Sequence, residues 1–196
     1  IHKVFLTNLE PSTTYHYSVN GGGSSCSSNK FTFSTTSVPG NEQYPKSIAI
    51  YGDMGTIMPM GFAVTHSILA ENRKTKFDLV VHVGDLAYAG TGGEREFEFI
   101  WDLFCNQVAP LSQYVPYMTS VGNHEKYFNF TSFNSRYHMP GDRDGTKSTD
   151  GSPPSLANFY YSFDFEGIHF TSMSTEHDHR PGSPQYTWIE YDLKKA

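Results

Sequence analysis

Leu79-Val80-Val81-His82-Val83-Gly84-Asp85-Leu86-Ala87-Tyr88 is the stretch on which the fold turns. Five apolar-rich residues read as a buried strand, and Gly84 ends it with a carboxylate and, three residues later, a phenol. The same grammar occurs twice more. Ile48-Ala49-Ile50-Tyr51 runs into Gly52-Asp53-Met54-Gly55, and Pro116-Tyr117-Met118-Thr119-Ser120-Val121 runs into Gly122-Asn123-His124-Glu125. In an open α/β sheet, ligands bind beyond the carboxyl ends of the strands, so three such tips converge on one spot. The converging groups are two carboxylates, a phenol, an amide oxygen and an imidazole. That set suits hard or borderline cations, because every donor is oxygen or nitrogen and none is a thiolate.

The segments between these strands support parallel pairing. A helical stretch is expected near 60–73, with Phe62, Ala63, Ile68 and Leu69 as its apolar positions. Another is expected near 94–113, where Phe97, Ile100, Trp101, Phe104 and Val108 recur at helical spacing. Strands alternating with helices imply a parallel sheet with helical crossovers. Beyond a polar loop at 142–154, residues 159–165 and 168–173 flank Glu166-Gly167 and read as a hairpin. Ser183-Pro184 opens a last helix as N-cap and first-turn proline.

Residues 1–37 have a different character. Alternating Tyr15, Tyr17, Val19 and then Phe31, Phe33, Thr35 surround a Gly/Ser-rich turn. Leu9-Glu10-Pro11-Ser12-Thr13-Thr14-Tyr15 resembles the tyrosine corner of fibronectin-type sandwiches, in which the hydroxyl bonds nearby backbone. Two strands do not make a sandwich. The segment is therefore read as the closing strands of a fibronectin type III-like β-sandwich, with a simple appended hairpin as the alternative. Residues 38–46 read as a Pro/Gly/Asn linker, and 47–196 as an α/β catalytic half-domain.

Composition narrows the classes. The 196 residues carry a formal charge of -6, and no run of Lys or Arg exceeds two, which disfavours nucleic acid as a partner. No apolar stretch reaches the roughly 20 residues of a membrane span. Cys26 and Cys105 are too few for a disulfide framework, and their pairing is left open. Asn129-Phe130-Thr131 is a glycosylation sequon, which points to a secreted or lumenal protein.

Chemistry assigns roles at the three tips. Asp53 and Asp85 would share one metal with Tyr88, which as phenolate demands an ion as acidic as Fe(III), since free Tyr ionises near pH ~10. Asp85 is placed to bridge to a second metal, which would also take the Asn123 side-chain oxygen. Against this stand ordinary readings: Asp53 and Asp85 as helix caps, Tyr88 as a packed aromatic. Glu125 either supports His124 from behind or faces solvent, and His177 could line a substrate rim. His82 and His169, inside strand patterns, are expected to be buried and hydrogen-bonded.

Asp53-x-Gly55, Gly84-Asp85-x-x-Tyr88 and Gly122-Asn123-His124-Glu125 together resemble the first three motifs of purple acid phosphatases, within the metallophosphoesterase superfamily. Ser174-Thr175-Glu176-His177-Asp178 and Ser183-Pro184-Gln185-Tyr186-Thr187-Trp188 are also similar to that family. The broader superfamily opens with Asp-x-His; Met54-Gly55 supplies no His here, and Tyr88 stands in its place. The resemblance implies Fe(III) on Asp53, Asp85 and Tyr88, and a divalent Fe, Zn or Mn on Asp85 and Asn123. It also implies metal-bound hydroxide as nucleophile towards phosphate monoesters, with His124 stabilising the phosphoryl group. The family's later Val-x-x-His and Gly-His-x-His motifs do not occur in the sequence; His177-Asp178-His179 has the outer spacing without the glycine. The expectation is an incomplete, inactive site in this span. Two rivals are a non-catalytic secreted binding module and a haloacid-dehalogenase-type phosphatase. The latter needs a second Asp where Gly55 stands.

Overall fold

The computed structural model describes residues 2–21, 27–57, 59–93, 97–141 and 151–196. Three strands, β3 (Ile48–Tyr51), β4 (Leu79–Val83) and β5 (Tyr117–Ser120), form a parallel sheet in that order. Helices α1 (Gly61–Lys74) and α2 (Phe97–Ser112) make the crossovers, so the alternation predicted from sequence is borne out within a residue or two wherever the ends are described. The mixed α/β class with a parallel sheet follows directly. Residues 94–96 and 142–150, on which parts of the expected second helix and polar loop fall, lie outside the described residues.

The core forms under one face of this sheet. Trp101, Phe104 and Val108 of α2 pack with Met54, Leu86, Ala87, Ala89 and Val121. Each of those loop residues lies close in sequence to a candidate site residue. Met54 is 1% exposed and Leu86 0%, so burial anchors the loops, each such side chain being worth about 1.5–3 kcal/mol. Helix α1 departs from expectation. Its buried positions are Gly61 and Thr65, while Phe62 is exposed and Ile68 and Leu69 are only half-buried. Gly61 is required there, because a Cβ would overlap the Gly55 carbonyl.

The opposite face of the sheet is open. Ile50 and Val83, which share that face by register, are 61% and 52% exposed. The antiparallel hairpin β6 (Tyr161–Phe165) and β7 (Ile168–Ser172) turns through Glu166-Gly167, both with positive φ, as a tight two-residue hairpin demands. It is tied to β5 where Tyr161 donates to the Thr119 carbonyl at 2.7 Å and where the Ser120 and Ser172 hydroxyls meet at 2.8 Å. A short helix, α3 (Thr131–Arg136), was not foreseen. It follows three consecutive left-handed residues, Phe128, Asn129 and Phe130. The last helix, α4 (Pro184–Lys195), begins as predicted, with the Ser183 hydroxyl accepting from the Tyr186 amide at 3.1 Å.

At the amino end, β1 (Thr14–Tyr17) and β2 (Phe31–Ser34) pair antiparallel. The Glu10 amide donates to the Tyr15 hydroxyl at 2.7 Å. Tyr17 donates to the Gln113 carbonyl at 2.8 Å, which seats the hairpin on the end of α2. The segment between hairpin and β3 is docked rather than loose. Ser37 and Gln43 donate to the Glu166 carboxylate, and Lys46 lies 3.6 Å from it. Cys105 is free, and Cys26 lies outside the described residues.

Candidate metal centre

All three strand tips emerge on one edge of the sheet, and their loops are stitched together. Asp53, Met54 and Gly55 donate their amides to the carbonyls of Gly84, Asp85 and Leu86 at 3.2, 3.2 and 2.8 Å. The first two loops thus continue side by side past the strand ends. Asp53, Asp85 and Tyr88 all take left-handed backbone, at φ 54, 53 and 56. Such conformations cost about 1–3 kcal/mol each and persist only where the surroundings over-determine them.

Tyr88 is the hub. Its hydroxyl lies 3.0 Å from Asp53 Oδ1 and 3.3 Å from Asp85 Oδ2. Burial, reinforced by these two carboxylates, raises its pKa well above the ordinary phenol value. His124 stacks on the Tyr88 ring at 4.1 Å between centroids, and its amide donates to Asp85 Oδ1 at 3.0 Å. Asn123, in the same loop, is exposed at the rim. The structure therefore draws Asp53, Asp85, Tyr88 and His124 into one cluster with Asn123 beside it.

The capping alternative fails for both aspartates. Helix α1 starts after Met60 with no side-chain cap, and no helix begins directly after Asp85. The solvent alternative fails for Glu125, which is 2% exposed. Its Oε2 accepts from the Asp85 and Gly122 amides, both at 2.8 Å, and Oε1 from Leu86 at 2.9 Å. Burial pushes this carboxyl up to about 7, against the opposing pull of the three amides. Glu125 clamps the second loop to the third rather than bonding the His124 ring, whose buried Nδ1 has no partner. Gly122 is dictated by the same packing, because a Cβ there would overlap Asp85 Oδ1.

His177 stands apart from this cluster. Its Nδ1 meets the Ser174 hydroxyl at 2.8 Å, and its ring packs on Phe159 and Phe130 at 4.4 and 5.4 Å. Burial lowers its pKa. His82 is fully buried as expected, with Nδ1 at 2.9 Å from the Tyr117 hydroxyl, and burial holds it neutral with a pKa of about 3. His169 departs from expectation: its side chain is 23% exposed and sits between two carboxylates, Asp164 and Asp192.

The donor chemistry fits a hard cation. The Tyr88 hydroxyl already touches one carboxylate oxygen of Asp53 and one of Asp85. Among the described residues, no group of three or more His, Cys, Asp or Glu side chains is arranged to hold a metal.

Three carboxyl-end loops of one parallel sheet thus carry Asp, Asp-x-x-Tyr and Asn-His. The chain belongs to the calcineurin-like phosphoesterase family, whose profile matches residues 46–194. Within it, the likeness to purple acid phosphatases is borne out along the whole chain. It is 33% identical to probable purple acid phosphatase 20 and 32% identical to purple acid phosphatase 23, both of Arabidopsis thaliana. It is 31% identical to acid phosphatase type 7 of Mus musculus. Each alignment covers 100% of this chain but only 41–45% of the relative, so the chain spans less than half the length of these proteins. A solved structure titled "Structure of PhoD" superposes on 83% of this chain and 37% of its own, at 19% identity and a TM-score of 0.49. That likeness is too loose to bear on fold or function.

Proposed function

We propose that the protein containing this span is an acid phosphatase that hydrolyses phosphate monoesters at a dinuclear metal centre. Asp53, Asp85 and Tyr88 would hold Fe(III), and Asp85 with Asn123 a divalent Fe, Zn or Mn. When bound, such a pair supplies Lewis acidity that ionises water and neutralises phosphoryl charge. The observation that carries this reading is the Tyr88 hydroxyl in contact with both Asp53 and Asp85. A phenol and two carboxylates in one contact make a poor apolar site and a good trivalent-cation site.

The remaining roles fall to the chain's own side chains. His124, fixed by its amide bond to Asp85 and by stacking on Tyr88, presents its imidazole to the phosphoryl oxygens and protonates the departing alcohol. Glu125 holds the two loops in register from behind. His177, on its Phe130–Phe159 shelf, belongs to the substrate rim. Residues 1–37 are the end of a fibronectin type III-like domain, 38–46 its linker, and 47–196 the first half of the catalytic domain. The resemblance implies further histidine ligands from Val-x-x-His and Gly-His-x-His motifs, which do not occur in these 196 residues, and without them the site would be incomplete. An exposed Asn129 supports glycosylation and a secreted or lumenal location, and no helix among the described residues is long and apolar enough to cross a membrane.

The test is to express the full-length protein and look for a purple tyrosinate-to-iron absorption band together with phosphatase activity. A colourless, metal-free protein with no activity would overturn the reading.

A further inference from the structure

The first loop is held by a residue outside all three motifs. Gln107 lies on α2, 52 positions from Gly55, and is 8% exposed. Its side-chain amide donates to the Gly55 carbonyl at 3.0 Å and to the Thr65 hydroxyl at 2.8 Å. The amide orientation is fixed by chemistry, because the Gly55 carbonyl can only accept. Thr65 in turn donates to Met54 Sδ at 3.3 Å. Both peptides flanking the Gly55 Cα are thus held. The Gly55 N–H goes to Leu86 O at 2.8 Å, its oxygen to Gln107, and Gly61 packs against that oxygen with no room for a Cβ.

We propose that Gln107 is a positioning residue for Asp53, acting through the Gly55 carbonyl. The inference rests on the metal-holding role proposed above for Asp53. Asp53 is exposed and sits in left-handed backbone at φ 54, a region uncommon for residues other than glycine. Two residues on, Gly55 is also left-handed, at φ 65. A loop with two such residues holds its shape only if its peptides are fixed from outside. Leu86 fixes the N–H side, and Gln107 alone donates to the carbonyl side among the described residues. Without that donor the Gly55 peptide is free to rotate, and the Asp53 carboxylate moves away from Tyr88 and Asp85. Removing a residue that orients a ligand from behind commonly weakens metal binding about 10–100-fold.

The experiment uses the full-length protein with Gln107→Met, which keeps side-chain volume and removes both donors. Fe(III) affinity is measured by chelator competition, and amide exchange at Gly55 is measured in the metal-free protein. Binding weaker by about tenfold or more, faster Gly55 exchange and a nearly unchanged melting point are expected. Gln107→Glu, protonated in this buried setting, keeps one donor and should recover part of the affinity; it carries the same test if Q107M does not fold. Unchanged exchange at Gly55 overturns the proposal, as does a loss of affinity that only tracks a fall in melting point. Wild-type protein that binds no Fe(III) would sink the metal reading alone, since exchange at Gly55 still decides what Gln107 does.

Discussion

Glu125 Oε2 accepts the Asp85 amide at 2.8 Å and, from the other side, the Gly122 amide at the same distance. One buried carboxylate oxygen therefore joins the loop of Asp85 to the loop of Asn123 and His124. Replacing Glu125 with Ala strands three N–H donors, Leu86 in a buried bond and Asp85 and Gly122 in half-buried ones. Glu125→Ala should cost about 3 kcal/mol or more, since each buried unsatisfied donor costs about 1–3 kcal/mol. Denaturant titration measures this; a change under about 1 kcal/mol would show that the loops do not depend on the clamp.

Tyr88→Phe removes one oxygen and little else. The ring still stacks on His124, so the fold should hold within about 1 kcal/mol. The visible absorption band of the iron-loaded full-length protein should vanish. Persistence of the band in Y88F would remove this phenol from the iron's surroundings.

Gly122→Ala inserts a methyl group where Asp85 Oδ1 lies. The carboxylate must swing away, giving up its bond from the His124 amide. Overpacking of this kind costs about 1–3 kcal/mol, and metal affinity should fall with it. Calorimetric titration with Fe(III) checks the prediction, and wild-type affinity would refute it.

His169 supplies a pH signature away from the centre. Its Nδ1 lies 2.7 Å from Asp164 and its Nε2 3.1 Å from Asp192, an arrangement that satisfies both carboxylates only when the ring is doubly protonated. The bonds to Asp164 and Asp192 raise its pKa above the ordinary 6.5. A raised folded value means the ion pairs stabilise fully below about 6.5 and fade as pH climbs through the folded pKa. Asp192 also accepts from Ser162 and Thr171, so the effect is a tightening of α4 on the β6–β7 hairpin in acid. Melting curves of wild type and His169→Gln should diverge below pH ~6.5 and converge above the folded value. Parallel curves would remove the latch.

Glu166 should govern the connection between the amino-terminal hairpin and the sheet. It accepts from the Ser37 hydroxyl at 2.6 Å, the Ser37 amide at 3.1 Å and the Gln43 amide at 3.3 Å. Glu166→Ala should make residues 38–45 the first site of limited proteolysis. An unchanged cleavage pattern would show that Tyr17 and its contacts hold the segment unaided.

The legible part of this protein was local. Gly84-Asp85 after an apolar run announces a strand end and a polar tip, because period, breaker and charge sit within a few residues. Tyr88 was readable through its spacing from Asp85. What escaped were individual side-chain ties between distant segments. Nothing near Gln107 says that its amide meets Gly55, since a lone polar residue on an apolar helix face has no pattern. Glu125 looked equally suited to solvent, because burial is a property of what packs over it. The ties of the linker to Glu166 were hidden for the same reason, since that residue lies far along the chain. Helix α3 was too short to show a period.

Ile50 and Val83 leave an oily strip on the far side of the sheet, more than half of each exposed to water. Such a strip is adhesive. Prepared by itself, this span should bind hydrophobic dyes and self-associate as concentration rises, until another layer of polypeptide shields it.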